Sequence, residues 1–241
     1  MVARFLALLL VAALVAGAAP AADPPVFSAP TVITHAYAPF HPGSVNIFRG
    51  RAEGVPTATL VTHLPATRSF AWGGGTVETC ALQEQDFEAG ALVEVSTTWI
   101  AQDDAGNVRC FGEISWTYQA GVPVEAEEDS WLVGGATQPG DPPGAFAATD
   151  PCMYLPSEDQ LVPGLSFVAQ QLPEEIETLT VMQVDQGVKV PAGKFEGAIR
   201  LQELDDGEDG ALSSKWLVPN VGLVRDKGKG ERGELIASSL P

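Results

Sequence analysis

Residues 91–118 read ALVEVSTTWIAQDDAGNVRCFGEISWTY and contain the strongest secondary-structure signal in the chain. Apolar, β-branched and aromatic side chains alternate with polar ones over residues 91–100 and again over 108–118, which is typical of strands. Between these runs, Gly106 and Asn107 lie in a polar stretch where a hairpin loop needs positive φ. The segment therefore predicts an antiparallel hairpin of two long strands.

The rest of the chain extends this pattern, because further β-rich segments are separated by turn residues. The sequence contains 25 Gly and 19 Pro, a content that favours many turns and short elements. We expect a mainly β fold with few short helical segments. The predicted strands cover residues 44–49, 57–63, 76–83, 122–133, 179–184, 187–190, 195–203, 212–218 and 221–226, with 165–172 as a strand or short helix and 234–238 as an edge strand.

Residues 1–22 have the three parts of a secretory signal peptide. Arg4 supplies positive charge, residues 5–15 form an apolar run, and residues 19–21 offer the small side chains that a signal peptidase reads. The apolar run is shorter than the ~20 residues that a membrane span needs, and no later stretch qualifies as a transmembrane segment. No cysteine follows the cleavage region, so a lipid anchor is not indicated. We expect the mature chain to be periplasmic or extracellular.

We expect one domain after the signal peptide. Residues 23–38 contain Pro24, Pro25 and Pro30 and are predicted to form a flexible N-terminal lead. Residues 39–241 are predicted to form a single β-rich domain, which is long enough for one good core. Within it, residues 134–160 are rich in Gly, Pro and Asp and are predicted to be a loop insertion, a kind of segment that often carries function.

The charge of the chain limits its partners. The formal net charge is −18, and removal of Arg4 with the signal peptide makes it −19. Such a surface repels phosphate backbones and anionic lipid head groups. Nucleic acid is therefore excluded as a partner.

No set of residues predicts a catalytic, cofactor or metal site. His35, His41 and His63 are not accompanied by a serine elbow, although the turn between His35 and His41 leaves a metal site as the alternative to solvated side chains. Acidic residues cluster at 103–107 and 204–210. Their spacing favours charged hairpin turns over calcium loops. We predict no catalytic residue, no cofactor and no metal.

The tryptophans allow two interpretations. Trp99 and Trp116 fall in the two strands of the predicted hairpin, and three more are spread along the chain. The favoured interpretation is a core of large side chains packed on the sheet. The alternative is an aromatic platform for a sugar or a lipid. Besides Trp99 and Trp116, the tryptophans of the chain are Trp72, Trp131 and Trp216.

Three cysteines, Cys80, Cys110 and Cys152, allow one disulfide and leave one thiol in an oxidising compartment. None forms a CxxC pair, so redox and zinc motifs are absent. A meander places Cys80 and Cys110 two strands apart and out of register, where a bond would be strained. A bond from Cys152 to either of the other two cysteines stays open.

The hairpin also carries a motif that resembles a signature of uncharacterised bacterial secreted proteins. Residues 99–108 read WIAQDDAGNV and residues 111–113 read FGE; the family has Trp-Tyr-Ala-Gln-Asp, then Gly-Asn-Val, then Phe-Gly-Glu. VPAGKF at 190–195 and PNVGLV at 219–224 resemble a wider set of periplasmic β-proteins and lipoproteins. Trp131, which is followed by Gly135-Ala136 and Pro139-Gly140, adds to the match. The resemblance covers residues 39–235 with gaps.

No activity comes with this resemblance. It implies a curved antiparallel sheet, half-barrel or sandwich-like, similar to the half-barrel of periplasmic lipoprotein carriers. Two departures matter: Arg109 and Cys110 stand where the family has aromatic residues, and residues 141–160, which contain Cys152, look like an insertion. Together they predict a Cys110–Cys152 disulfide that ties the insertion to the 108–118 strand, with Cys80 left as a buried thiol.

Three functions stay open. The leading expectation is an exported, non-enzymatic protein that binds a hydrophobic or amphiphilic ligand on the sheet face, with a lipid-like small molecule as its partner. The second is a structural or interaction module that contacts an envelope protein through the sheet or residues 134–160. The third is a secreted hydrolase with two catalytic carboxylates, for which 31 acidic residues offer no motif that selects a pair.

Overall fold

The computed structural model describes residues 24–126, 130–173, 176–206 and 211–240. Within these residues, fifteen strands join into one open, curved sheet, in which neighbouring strands are antiparallel except for β7 with β8. The prediction of a mainly β fold with a curved antiparallel sheet is confirmed. The strands are β1 (Val45–Ala52), β2 (Val55–Trp72), β3 (Gly75–Glu88), β4 (Ala91–Gln102), β5 (Val108–Gln119), β6 (Val122–Ala126), β7 (Trp131–Val133), β8 (Phe146–Ala148), β9 (Cys152–Leu155), β10 (Ser166–Gln171), β11 (Ile176–Val190), β12 (Gly193–Asp205), β13 (Ala211–Val218), β14 (Gly222–Lys227) and β15 (Glu231–Ser238).

Helix is nearly absent from the part of the chain that the structure describes. Its single helical element there is the 3₁₀ turn Glu158–Gln160, and no described helix is long and apolar enough to cross a membrane. The predicted signal peptide, residues 1–22, lies outside the described residues.

The predicted hairpin is the pair β4 and β5, which closes where Gln102 pairs with Val108. Residues 103–107 form its turn. Farther along β5, the short strand β7 approaches Gly112 closely: a Cβ atom there would lie 2.7 Å from the carbonyl oxygen of Trp131. Only glycine fits this position, because any side chain would push β7 away.

Two-residue loops join four further strand pairs among β1 to β6. Glu53-Gly54 connects β1 to β2, Gly73-Gly74 connects β2 to β3, Ala89-Gly90 connects β3 to β4, and Ala120-Gly121 connects β5 to β6. All eight loop residues have positive φ. Such loops match the right-handed twist of the flanking strands. Strands β1 to β6 therefore form a continuous meander.

The C-terminal strand occupies an internal position of the sheet. β15 pairs with β14 on one side and with β1 on the other, so the prediction that residues 234–238 form an edge strand is wrong. The pairing with β1 depends on close contact at Gly50, where a Cβ atom would lie 1.7 Å from the carbonyl oxygen of Arg232. Because this pairing joins distant parts of the chain, no local pattern indicates it.

Long strands with bulges curve the sheet. β2 has 18 residues and shifts register between Leu64 and Thr67, next to Pro65, which cannot donate a ladder hydrogen bond. β11 shifts register at several points between Val181 and Val188. Bulges bend a strand and increase its twist. As a result, β10 at one edge of the sheet lies against β9 near the other edge.

Because of this curvature, side chains from opposite parts of the sheet meet at one end of its concave face. Ile100 of β4 and Leu155 of β9 share a buried cluster with Val181 of β11 and Ile199 of β12. Full burial of one such side chain contributes roughly 1.5–3 kcal/mol to stability. The cluster forms the floor of the concave face.

Residues 24–44 run across the β4–β5 turn. The Phe27 ring packs edge-on against Trp72, with centroids 6.0 Å apart, and against Phe111, with centroids 5.6 Å apart. The backbone N–H of Gln102 donates to the carbonyl of Pro30 at 2.9 Å. This end of the sheet is thereby covered by the N-terminal segment.

Residues 134–160 contain β8, β9 and the 3₁₀ turn, and an ion pair fixes their first part. The guanidinium of Arg68 on β2 donates two hydrogen bonds of 2.8 Å to the carboxylate of Asp141. The same guanidinium lies 4.8 Å from the ring centroid of Phe70 and 4.7 Å from that of Trp99. Both charged side chains are buried, so the pair links this segment to the sheet.

Candidate functional site

The concave face encloses a cavity of about 480 Å³. One end of it is apolar and rests on the buried cluster described above. Side chains from both halves of the sheet form this end, which explains why the curvature of the sheet is needed to create it. The apolar lining includes Phe48, Leu82, Ile100, Leu179, Leu201 and Leu217.

The first wall of the cavity carries carboxyl groups on β3, β4 and β5. Glu84 and Asp86 are two residues apart on β3, and side chains at this spacing face the same side of a sheet. Register places Glu94 of β4 opposite Asp86. Glu113 of β5 also lines the cavity, and the hydroxyl of Thr98 donates to it at 3.0 Å.

The facing wall carries Glu177 on β11 and Lys215 on β13. The ammonium of Lys215 lies 2.7 Å from the carboxylate of Glu203 and 3.0 Å from that of Asp226. Burial acts to lower the pKa of Lys215, but Asp226 and Glu203 outweigh it and raise the pKa. Lys215 is therefore a fixed positive charge held by its own wall.

Two cavity carboxyls have strongly raised pKa values. Burial, followed by repulsion from Asp86 and Glu113, raises the pKa of Glu84 to about 8. Burial and repulsion from Glu203 raise the pKa of Glu177 to about 8 as well. Burial acts to raise the pKa of Glu203, but Lys215 outweighs it and lowers the pKa. Near neutral pH, the facing wall thus presents a protonated Glu177 beside a charged Glu203.

At the side of the cavity near the N-terminal segment lie Asn46 and His63. The Nδ1 atom of His63 accepts a hydrogen bond of 3.0 Å from the backbone N–H of His41, and its ring stacks on Phe40 with centroids 5.0 Å apart. Burial lowers the pKa of His63 to about 4. The imidazole is therefore neutral and contributes no positive charge to the cavity.

Of the two histidines considered for a metal site, His35 and His41, His35 is engaged by the backbone. Nε2 of His35 donates to the carbonyl of Pro156 at 2.9 Å, and its Nδ1 accepts from the N–H of Tyr37 at 3.2 Å. Within the described ranges, no group of three or more His, Cys, Asp or Glu side chains could hold a metal ion. His35 and His63 serve to anchor the segment that precedes β1.

The structure describes the first acidic turn in full and the second only in part. The carboxylate of Asp103 accepts hydrogen bonds from the N–H of Ala105, the N–H of Asn107 and the Nε of Arg109, all between 2.9 and 3.0 Å. It therefore organises the hairpin turn. In the second turn, Asp206 accepts from the backbone of the strand opposite, and residues 207–210 lie outside the described residues.

Of the five tryptophans, Trp131 contributes to the cavity lining. It is buried, and its Nε1 donates to the Oε1 atom of Gln170 at 3.1 Å, which joins β7 to β10. Trp99 instead packs with Phe70 and Arg68, and Trp216 lies under another guanidinium. Trp72, Trp99, Trp116 and Trp131 pack in one hydrophobic cluster, and Trp216 packs in another.

Cys110 lies in register with each of the other two cysteines. Cys110 and Cys152 are directly opposite each other across β5 and β9, while Cys80 and Cys110 both pair with Ile100 of β4. The prediction that Cys80 and Cys110 are out of register is therefore wrong. They remain two strands apart, roughly 10 Å, which is too far for a disulfide. All three are thiols in this structure, and the Cys110–Cys152 bond stays a prediction.

The residues that sequence reasoning missed are the inward-facing acids and Lys215. Glu84 and Asp86 alternate with residues of the other face of β3, as Glu94, Ser96 and Thr98 do on β4. This alternation is also what a solvent-facing strand shows. The only available signal is that both faces of these strands contain polar residues, which would suggest a second, wet side of the sheet.

No family model and no curated relative matches the chain. Among solved structures, the chain is similar to a candidate lipoprotein from Parabacteroides distasonis, with 12% sequence identity, 85% of this chain and 99% of that chain covered, and a TM-score of 0.35. A TM-score this low carries no argument about function. The motif resemblance described from the sequence stays a prediction.

Proposed function

We propose that the protein is an exported binding protein that holds a small amphiphilic molecule in the cavity on the concave face of its sheet. The observation that carries this proposal is the cavity itself. Its volume of about 480 Å³ falls within the ~300–1,000 Å³ of ligand-binding pockets. Its apolar floor suits a hydrocarbon body, and its carboxyl-lined walls suit a polar head. Export rests on the signal-peptide pattern of residues 1–22.

The floor is preformed, which favours binding. Leu179, Leu201 and Leu217 are each less than 10% exposed and belong to the same buried cluster as Ile100. A ligand that enters would cover apolar surface without having to order the walls first, and preorganisation of this kind reduces the free-energy cost of binding.

A dye titration tests this proposal. N-phenyl-1-naphthylamine is uncharged at neutral pH, and its fluorescence rises in apolar surroundings. Ala169 of β10 lines the cavity, so Ala169→Phe places a ring inside it. The neighbouring residue Val168 is 42% exposed and is not among the residues that line the cavity, so Val168→Phe is the matched control.

We expect the wild-type protein to bind the dye and Ala169→Phe to bind it at least about tenfold more weakly, a change of about 1.4 kcal/mol. Val168→Phe should bind like the wild type. Circular dichroism checks that both variants keep the strand content. Absence of dye binding by the wild type, or equal binding by Ala169→Phe, would overturn the proposal.

A second candidate function is carboxylate-dependent hydrolysis. It is favoured by Glu177 and Glu203, whose pKa values shift in opposite directions, because glycosidases use two carboxyls with separated pKa values. Release of nitrophenol from a panel of nitrophenyl glycosides, lost in Glu177→Gln, would support hydrolysis. Equal slow release by wild type and variant would exclude these carboxyls as its cause.

A further inference from the structure

A row of four side chains crosses one wall of the cavity. Backbone register places Asn46 of β1 opposite Val61 of β2, Val61 opposite Glu84 of β3, and Glu84 opposite Ser96 of β4. All four line the cavity. Since neighbouring strands lie ~4.8 Å apart, the backbones at Asn46 and Glu84 are roughly 10 Å apart. A polar group in the cavity can therefore face both side chains.

Asn46 is the member of this row whose hydrogen bonding is incomplete. It is 6% exposed, and its Oδ1 atom has no hydrogen-bond partner among the residues that the structure describes. A buried carbonyl oxygen without a donor is unfavourable, and such groups are nearly always satisfied in folded proteins. A hydrogen-bond donor on a bound molecule would satisfy it.

The charge around Glu84 is also unbalanced. Lys215 is the one lysine or arginine among the described lining residues, and Glu203 and Asp226 already hold its ammonium. Burial, then repulsion from Asp86 and Glu113, raises the pKa of Glu84, and the charge of Lys215 offsets this only in part. The acids of the lining are Glu84, Asp86, Glu94, Glu113 and Glu177.

We infer that the ligand of the cavity is a primary or secondary ammonium compound with an apolar body, bound through N–H donors to Glu84 and Asn46. The inference rests on the proposed function and names its ligand class. A bound ammonium group favours release of the Glu84 proton to solvent, because a nearby positive charge lowers the pKa of a carboxyl. The ammonium then donates to the carboxylate and to the amide oxygen, and charged hydrogen bonds of this kind are the strong ones. The apolar body covers the leucine floor.

An inorganic cation fits the cavity less well. The described residues offer no group of three metal-ligating side chains. A bare ion would also leave the apolar floor, which includes Leu201 and Leu217, without a partner. The combination of an apolar end and an acidic end therefore favours an organic cation.

The test compares three ligands that share an eight-carbon chain: octylamine, octan-1-ol and octyltrimethylammonium. Each displaces N-phenyl-1-naphthylamine from the wild-type protein. Octan-1-ol has no charge, and octyltrimethylammonium has a charge but no N–H donor. We expect octylamine to bind at least about tenfold more tightly than either, which is the effect of one charged hydrogen bond.

Glu84→Gln should remove this preference, because the amide keeps the shape of the side chain but not its charge. The dye affinity of the variant is measured separately and is the reference for each competitor. Glu78→Gln is the matched control, since Glu78 lies on the same strand and is exposed. It should leave both affinities unchanged.

The outcomes separate the inference from the proposed function. Dye binding with equal affinities for octylamine and octan-1-ol would overturn the ammonium inference and leave the binding function intact. Octyltrimethylammonium binding as tightly as octylamine would overturn the role of the N–H donors. A preference for octylamine that persists in Glu84→Gln would overturn the assignment to this row. Failure of the wild type to bind the dye at all would overturn the proposed function itself.

Discussion

Replacing Asp141 with Asn tests how residues 134–160 are held to the sheet. The side chains of Asp141 and Arg68 are each 6% exposed. The carboxylate accepts two hydrogen bonds of 2.8 Å from Arg68 and two more of 2.8 Å from the backbone N–H groups of Thr137 and Gln138. Breaking one partner of a buried ion pair costs ~3–5 kcal/mol. Because the amide keeps the shape and some hydrogen bonds, we expect a loss of about 3 kcal/mol in the free energy of unfolding.

Urea unfolding measures this loss, and two further variants make the result specific. Arg232→Met removes a guanidinium from an ion pair in which Arg232 is 54% exposed, and it should cost less than ~1 kcal/mol. The double variant Arg68→Met/Asp141→Asn should cost less than the sum of its two single changes, since neither leaves a buried charge alone. A loss below about 1 kcal/mol for Asp141→Asn, or strictly additive losses, would refute the reasoning.

Acid solution provides an internal check on the same ion pair. Burial acts to raise the pKa of Asp141, but hydrogen bonds from Arg68 and from the backbone outweigh it and lower the pKa below 3.8. A carboxyl with a lowered pKa stabilises the folded state above its unfolded pKa and loses this contribution as the pH falls through its folded pKa. The difference between wild type and Asp141→Asn should therefore persist at mildly acidic pH and shrink in stronger acid.

Two further predictions concern buried titratable groups. Burial and its acidic neighbours raise the pKa of Glu84 from 4.5 to about 8, so the folded state keeps a proton that the unfolded chain releases, and stability falls as the pH rises through this window. Glu84→Gln should remove up to roughly 5 kcal/mol of that fall, and equal pH slopes in urea unfolding would contradict this. Non-reducing peptide mapping of the protein isolated from cells should find Cys110 bonded to Cys152, since the two residues face each other in register. Reduction of this bond should lower the free energy of unfolding by ~2–4 kcal/mol. A Cys80–Cys110 bond or three alkylatable thiols would contradict the pairing.

The parts of the fold that could be predicted are local. The hairpin of β4 and β5 follows from alternation and from the turn at residues 103–107, whose geometry is set by side chains within the turn itself. Most other strands follow from the same alternation, but β8 and β9 lie in residues 134–160, which the sequence predicts to be a loop. The internal position of β15 could not be predicted, because its pairing with β1 joins residues such as Gly233 and Gly50 that are far apart in the chain.

The residues of the candidate site are likewise far apart in the sequence. Glu84, Glu177 and Lys215 come from three strands that lie in different parts of the chain and meet only because bulges curve the sheet. On each strand the acid occupies a position that a solvent-facing side chain would also occupy. Sequence alone therefore indicates a polar face, and the curvature of the sheet determines that this face lines a cavity.

The most direct test of the account is to identify what the protein carries when it is isolated from cells. Protein isolated without denaturation is analysed by native mass spectrometry, together with the Ala169→Phe and Val168→Phe variants. The account predicts one small amphiphilic molecule per chain in the wild type and in Val168→Phe, and its loss from Ala169→Phe, in which a ring fills the cavity that Ala169 lines. A bound molecule retained equally by Ala169→Phe, or no bound molecule in any of the three proteins, would contradict it.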